Sequence, residues 1–415
     1  MGIEVVAERS AGLDIAKASL VACVRIPGRN SSARVLKRKF TTMTADLLAL
    51  ADWLAEHEVT RVGMESTSDY WKPVFYLLED RFECWLLNAR HMRAVPGRKT
   101  DMTDAEWICD LVAHGLVRPS FVPPPPMRRL RDLTRRRTLL LAERTREKQR
   151  LEKILEDAGV KLGVVATDIT GRSGRMMIEA LIAGERDPHV IADLALGTMR
   201  RKLGALADAL VGRFSDHHAF YCRQVLDHLD FINKMITDLG GRIDAETAAY
   251  EPQIALLDTV PGIDRRGAQT ILAEIGPEMH RFASAAHLAS WAGLCPGNNK
   301  TAGKAKPTHT RPGNRWLKAA LGIAAMSAVR TKNTYAGAQY KRIAARRGAK
   351  RALVAVAHSH LVAIWHILAG GNTYQDLGAD YYLNLINPDR QRRRLVERLE
   401  QLGFHVTVEP RPSSG

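Results

Sequence analysis

From Leu13 to about Val117 the apolar positions alternate between a strand-like and a helix-like period. Leu13–Ile26 (LDIAKASLVACVRI) reads as a strand, with Val35–Thr41 as its hairpin partner. Ala45–Glu58 has helical periodicity, Val59–Met64 is a short apolar strand, and Trp71–Arg81 is helical again. Glu83–Leu87 reads as a strand and Asp101–Leu116 as a helix. This alternation predicts a mixed sheet with helices packed on its faces, an α/β domain over residues 1–122.

Four consecutive prolines, Pro123–Pro126, then stiffen the chain into an extended linker that ends this domain. Met127–Ala158 follows with almost no breaker. Its Leu130, Leu133, Leu140, Leu151 and Leu155 sit among charges, as in a long amphipathic or coiled-coil helix. His189 to about Tyr250 is also helical, so residues 123–255 read as a linker plus a helical, coiled-coil middle. Such a segment commonly joins subunits, and a homo-oligomer (dimer or tetramer) is expected; a solvated charged helix would show the same pattern. Residues 256–375 form a last, mainly α region, and 376–415 a basic tail that turns Pro- and Ser-rich. The longest uncharged run, Ala352 to Tyr374, contains His358, His360 and His366 and is broken by Gly370 and Gly371. It reads as a buried helix, not a membrane span.

A chain of 415 residues calls for more than one core. Lys and Arg number 61 against 45 Asp and Glu, a net charge of +16 that points to a polyanionic partner. The five cysteines are scattered without a C-x-x-C pair, which argues against a disulfide framework or a zinc site and fits a reducing cytosol. Residues 1–14 lack the basic and apolar regions of a signal peptide. A cytoplasmic, nucleoid-associated protein without membrane contact is expected.

Four carboxylates stand out against this background. Asp14 opens the first strand in Leu13-Asp14-Ile15, and Glu65 closes the short apolar strand in Gly63-Met64-Glu65. Asp101 and Asp104 open the following helix, three residues apart and therefore on one face. Acids at strand ends among apolar neighbours are costly unless paired. Divalent cations would remove that cost, and two such ions clamp the oxygens of a phosphoryl transfer. The plainer reading is a helix N-terminus favoured by acids, with Asp14 and Glu65 in salt bridges.

A D…E…D-x-x-D set on this topology resembles the RuvC-like domain of the DEDD insertion-sequence transposases, which include bridge-RNA-guided recombinases and pilin-type DNA invertases. The phrases Gly12-Leu13-Asp14-Ile15-Ala16-Lys17, Gly63-Met64-Glu65-Ser66-Thr67 and Lys99-Thr100-Asp101-Met102-Thr103-Asp104-Ala105 carry the resemblance. It implies a ribonuclease-H-like fold with Asp14, Glu65, Asp101 and Asp104 as catalytic ligands of Mg²⁺ or Mn²⁺.

The second constellation is an absence of acids. Between Met279 and Gln375 there is no Asp or Glu, while Lys and Arg are dense from Lys300 to Arg351. Solvated charged faces normally mix signs, so this stretch is expected to lie against phosphate backbone. Upstream, Leu256–Gly276 reads as apolar helix, Pro261-Gly262-Ile263 turn and apolar helix. It resembles a helix-hairpin-helix, in which the backbone at Gly262 approaches a phosphate. A plain helical hairpin is the alternative, and Asp264 stands where such hairpins usually carry a second glycine.

Downstream, LASWAGLCPGNNKTAGKAK (288–306) and Arg311-Pro312-Gly313-Asn314-Arg315 resemble the C-terminal domain of the same transposases. There, a serine before A-G-K is the nucleophile that forms a covalent ester with DNA, conserving bond energy for rejoining. Here that position is Thr301, whose β-methyl restricts χ1. Thr301 is the favoured nucleophile, with an impaired protein or a role for Ser290 as alternatives. Lys300, Lys304, Lys306, Arg311 and Arg315 are expected to hold backbone phosphates.

His309 is a loop phosphate or solvent contact or a proton shuttle. His358, His360 and His366 share no helical face well and read as core or interface residues. The resemblance further implies donor and target DNA and a noncoding guide RNA as partners. The basic helix around Arg128 and Arg135 is the expected RNA seat. The carboxylates and Thr301 are expected to meet on the DNA within an oligomer. A site-specific invertase, a hydrolytic junction nuclease and an inactive DNA-binding protein are the competing readings.

Overall fold

The computed structural model describes residues 4–28, 33–66, 68–96, 102–296, 300–301, 304–305, 310–384 and 388–409. The chain divides into two compact units, Met1–Val122 and Pro123–Gly415.

The first unit is a five-stranded mixed sheet with helices on both faces. Its strands are β1 (Ser10–Ile15), β2 (Ser19–Pro27), β3 (Ala33–Thr41), β4 (Arg61–Glu65) and β5 (Glu83–Leu87), in the order β3-β2-β1-β4-β5. β1, β2 and β3 form an antiparallel meander; β4 joins β1 in parallel and β5 joins β4 in parallel. The segment Leu13–Ile26 is thus two strands, not one. A turn closed by the Ala16 N–H donating to the Ser19 carbonyl (2.9 Å) breaks it. Continuous apolar character hid this turn, because a strand buried on both faces and a hairpin of two such strands have the same composition.

Side-chain alternation sorts the two faces. Ala11, Leu13 and Ile15 point to the layer formed by α1 (Thr44–Glu56) and α2 (Trp71–Leu78), burying Leu47, Leu50, Leu54, Val74 and Leu78. The opposite face is covered by α4 (Asp104–Ala113), which follows the short α3 (Ala89–Arg93) and buries Ile108, Leu111 and Val112.

The second unit is almost entirely helical. In α5 (Pro125–Asp157) Pro125 and Pro126 occupy the first turn, where a missing N–H costs nothing, so the proline run is half linker and half helix start. Short helices α6 (Leu162–Val165), α7 (Arg172–Ile182), α8 (Pro188–Ala192) and α9 (Leu203–Leu210) lead to α10 (Asp216–Thr247). α5 and α10 run antiparallel: Asp157 meets His218, Glu143 meets His228 and Arg129 meets Glu246. Leu151, Leu155, Met177, Leu206, Leu226 and Leu229 belong to the core where α6–α9 close over this pair.

Then come α11 (Glu251–Asp258), α12 (Arg265–Ile275) and α13 (Ala285–Trp291). A two-stranded ribbon of β6 (Lys300–Thr301) and β7 (Lys304–Ala305) precedes α14 (Arg315–Ala328), α15 (Tyr335–Arg347) and α16 (Ala349–Gly370). Helices α17 (Tyr381–Asn384) and α18 (Pro388–Glu400) end the order. Among the described residues one helix, α16, is long and apolar enough to cross a membrane by length and composition; it packs against α13, α14 and α15.

Candidate active site and nucleic-acid-facing residues

The first candidate site arises from two glycines. Gly12 on β1 and Gly63 on β4 are register partners in the parallel pair. A Cβ at Gly12 would fall 2.2 Å from the Ala105 carbonyl oxygen and 2.3 Å from the Cys109 nitrogen. One at Gly63 would fall 2.4 Å from a Val112 methyl. The two positions therefore form a smooth trough in which α4 lies directly on the sheet backbone.

Two residues further along each strand, on that same face, stand Asp14 and Glu65. Asp14 is next to last in β1, so it lies at the carboxyl end of its strand and not at the start. That puts it beside Glu65 at the same edge of the sheet. α4 begins over this edge with Asp104, and Glu65 and Asp104 line one cavity of about 400 Å³ together with Arg93 and Trp107.

Burial first, and then the negative charge of Asp104, push the Asp14 carboxyl above its ordinary pKa. Asp14 and Asp104 thus place like charges near each other, a repulsion that a divalent cation would offset. Half-buried Asp14 and Glu65 and an exposed Asp104 offer the carboxylate oxygens that Mg²⁺ prefers, but among the described residues no three acids, histidines or cysteines are grouped closely enough to hold a metal ion by themselves. Asp101, the fourth carboxylate, lies outside the described residues.

α4 does not open at Asp101. Thr103 is its extended N-cap in a capping box, its N–H and hydroxyl both donating to Glu106 at 2.8 Å. Lys37 reaches Glu106 at 2.7 Å, and these bonds hold the Glu106 carboxyl down at about 2. The helix end that presents Asp104 is therefore fixed to β3 by an ion pair.

In the second unit a buried carboxylate organises the basic region. Glu274, at the end of α12, is fully buried. Arg135 donates to it through Nε and Nη2, each at 2.8 Å, and Arg131 pairs with it at 3.1 Å while donating to its backbone carbonyl at 2.5 Å. Asn314 donates to the same carboxylate at 2.5 Å. Its own Oδ1 accepts from the N–H groups of Trp316 and Leu317, capping α14. The guanidinium of Arg135 is thus taken up by Glu274 as a fork on a carboxylate, and is not a free nucleic-acid contact. Arg128, two turns earlier on α5, is half-buried.

The Gly262 turn separates α11 from α12 with φ +82°. A Cβ there would meet the Ala324 carbonyl of α14 at 2.2 Å, so contact within the protein already requires glycine. Asp264 is the N-cap of α12, accepting from the Gly267 N–H at 2.7 Å, which accounts for an acid where a second glycine was looked for.

Thr301 pairs with Lys304, and Lys300 with Ala305, in the β6–β7 ribbon; a bridge between Pro296 and Thr310 closes its base. Arg311 and Arg315 follow on the exposed surface, the Arg315 guanidinium 4.6 Å above the Trp316 ring. Lys306 and His309 lie outside the described residues. Ser290 is exposed on α13, whose last turn it shares with Trp291.

Comparison with known proteins matches both blocks in the same order. A family model described as "Transposase" covers residues 11–159, and one described as "Transposase IS116/IS110/IS902 family" covers residues 254–341. The chain belongs to the IS110-type transposase family.

Relatives match at low identity, two of the three below under the name transposase. "Putative transposase y4pF/y4sB" of Sinorhizobium fredii is 26% identical over 286 residues, 67% of this chain and 64% of that protein. The transposase for insertion sequence element IS1111A of Coxiella burnetii is 23% identical over 300 residues, 70% of this chain and 72% of that one. A 43.6 kDa protein of insertion element IS110 from Streptomyces coelicolor is 32% identical over 142 residues, 33% of this chain and 34% of the relative. The chain thus spans just under two thirds of the first of these relatives and about a third of the last.

For this IS110-type chain, the motifs single out the acids but not the glycines that let α4 lie on the sheet beside them. Gly12 and Gly63 carry no functional group, and their signal in the sequence was only that each stands two residues before an acid. Glu274 was missed too, because it lies just before the acid-free stretch and looks like an ordinary helix residue.

Proposed function

We propose that this chain is a DNA transposase that cuts and exchanges strands on a ribonuclease-H-like sheet. The observation that carries the reading is the convergence of Asp14, Glu65 and Asp104 at one sheet edge under the start of α4. The strand order β3-β2-β1-β4-β5, antiparallel on one side and parallel on the other, supports the fold assignment. Asp14, Glu65 and Asp104, with Asp101, would hold Mg²⁺ or Mn²⁺, which when bound supplies charge neutralisation for phosphoryl transfer.

Thr301 is proposed as the nucleophile. Its hydroxyl oxygen bonds to phosphorus, its proton is released, and the bond to the departing nucleotide oxygen breaks. A threonyl phosphodiester and a free hydroxyl-ended strand result. Attack of a second strand's hydroxyl on that ester restores Thr301, so no external energy is consumed. Lys300, Lys304 and Lys306, with Arg311 and Arg315, are the proposed backbone contacts, and the exposed backbone at Gly262 a further one. A structured guide RNA is proposed on the basic face of α5 near Arg128, and assembly as a dimer or tetramer through the helical middle.

The test is incubation with labelled donor and target DNA, flanking-region RNA and Mg²⁺, read on denaturing gels. A protease-sensitive adduct that disappears in Thr301→Ala and in Asp14→Ala establishes covalent recombination. Free ends without adduct, unaffected by Thr301→Ala and lost in Asp14→Ala, replace it with a hydrolytic nuclease. Binding without any cleavage leaves only a DNA-binding protein.

A further inference from the structure

Between α15, α16 and residues 372–377 lies a cavity of about 480 Å³ to which no step of the proposed strand exchange assigns a role. His358, His360 and His366 all border it, although their spacing on a helix suggested otherwise. Its lining is largely apolar but includes two buried polar side chains. His360 is 3% exposed and Gln339 8% exposed. Neither His360 ring nitrogen nor the Gln339 Oε1 has a hydrogen-bond partner among the described residues. Burial takes the imidazole down to about 4, so it is neutral near pH 7 and offers one donor and one acceptor. The Gln339 amide nitrogen donates to Ser359 Oγ at 2.8 Å, which fixes the amide and turns its oxygen into a committed acceptor.

Buried polar atoms in folded proteins are almost always satisfied, so three unsatisfied ones on one cavity wall mark a place that a ligand completes. The walls add planar surface. Tyr335 stacks on Tyr382 at 5.4 Å with 23° between the rings, and Tyr335 and Tyr374 both line the cavity. Arg342 lies 4.1 Å over the Tyr382 ring, within a stretch that contains no Asp or Glu from Met279 to Gln375. Asp376 is the nearby acid, and it is occupied, accepting from the backbone N–H groups of Tyr335 (2.9 Å) and Gly378 (2.7 Å).

We infer that this cavity receives an unpaired nucleobase, stacked on tyrosine and read along its edge by Gln339 and His360. A flat ring with mixed donors and acceptors on its rim, attached to a polyanionic backbone, matches a largely apolar cavity with two tyrosines and unpaired buried polar atoms, set in a stretch rich in Lys and Arg. The inference rests on the reading of the chain as a nucleic-acid recombinase and adds to it a site for a base taken out of its stack. The base could come from DNA or from RNA; the chemistry that recognises it is the same.

The experiment uses the full chain and duplexes bearing one extrahelical 2-aminopurine, in DNA and RNA versions, against the same duplexes with an abasic residue at the bulge. The wild type is expected to bind the base-bearing bulge roughly tenfold more tightly, the scale of one stacked base, with a change in 2-aminopurine fluorescence. The better of the DNA and RNA versions identifies the source. His360→Leu removes both ring nitrogens; Gln339→Met removes the acceptor at nearly constant size and guards against a loss of folding. Both are expected to lose the preference while keeping wild-type affinity for unbulged duplex. Equal binding of base and abasic bulges by the wild type overturns the inference and leaves the transposase reading standing. So does a preference that both variants retain. Failure to bind any nucleic acid overturns both.

Discussion

Asp14 shows how one side chain can be costly to the fold and required for chemistry. Its carboxyl is raised by burial and by Asp104, so the ionised form is held against electrostatic resistance. Asp14→Asn is therefore expected to raise the melting temperature of the metal-free protein and to abolish DNA cleavage. It is also expected to remove most of the stabilisation that millimolar Mg²⁺ gives the wild type; calorimetry with and without EDTA reads all three in parallel with a cleavage gel. Gly12→Ala is the complementary case. The added methyl meets backbone at 2.2 Å, and backbone cannot rotate away. A loss of about 1–3 kcal/mol in urea unfolding is expected, with a larger loss of cleavage than of stability, because α4 and Asp104 must shift first. The acids themselves were legible in the sequence, since charge at the end of an apolar strand is conspicuous. The glycines were not, since a close approach becomes visible only when the second surface is known.

Elements were read well where periodicity was long and poorly where two elements share a composition. α5 and α10 announce themselves through many turns of repeating apolar positions, yet the seam also buries Arg137 and Glu147, which no apolar pattern indicates. Leu140, fully buried in that seam, is expected to cost about 2–5 kcal/mol on replacement by Ala, measured by chemical denaturation. The start of α4 was placed too early because Asp101 and Asp104 looked like a first turn; the Thr103–Glu106 capping box sets the true start. That box makes a pH prediction. The Glu106 carboxyl is depressed from 4.5 to about 2, first by Lys37 and then by the Thr103 N–H. Its stabilising effect is complete above pH 4.5 and is lost as pH falls toward 2. Amide exchange at the start of α4 is expected to accelerate over that window, and Glu106→Gln to remove the dependence.

At the scale of the molecule, charge is the dominant property. If six to ten phosphates are neutralised, binding to duplex DNA is expected to weaken by roughly a thousandfold to a hundred-thousandfold between 50 and 200 mM salt. The slope of log affinity against log salt counts the contacts, and Arg311→Ala and Arg315→Ala are each expected to reduce it by about one. Arg135→Ala is expected instead to unfold the protein partially, because it leaves Glu274 buried with less countercharge, a loss of about 3–5 kcal/mol.

The Glu274 junction also bears on what counts as an independent piece of this chain. Its two arginines come from the block matched at residues 11–159, and its carboxylate and asparagine from the block matched at 254–341. A fragment beginning near residue 255 would carry the buried Glu274 side chain with both of its arginine partners left behind. The stretch at 254–341, which looks like a separate module in the sequence, depends for its interior on α5, and it is not expected to fold when produced alone.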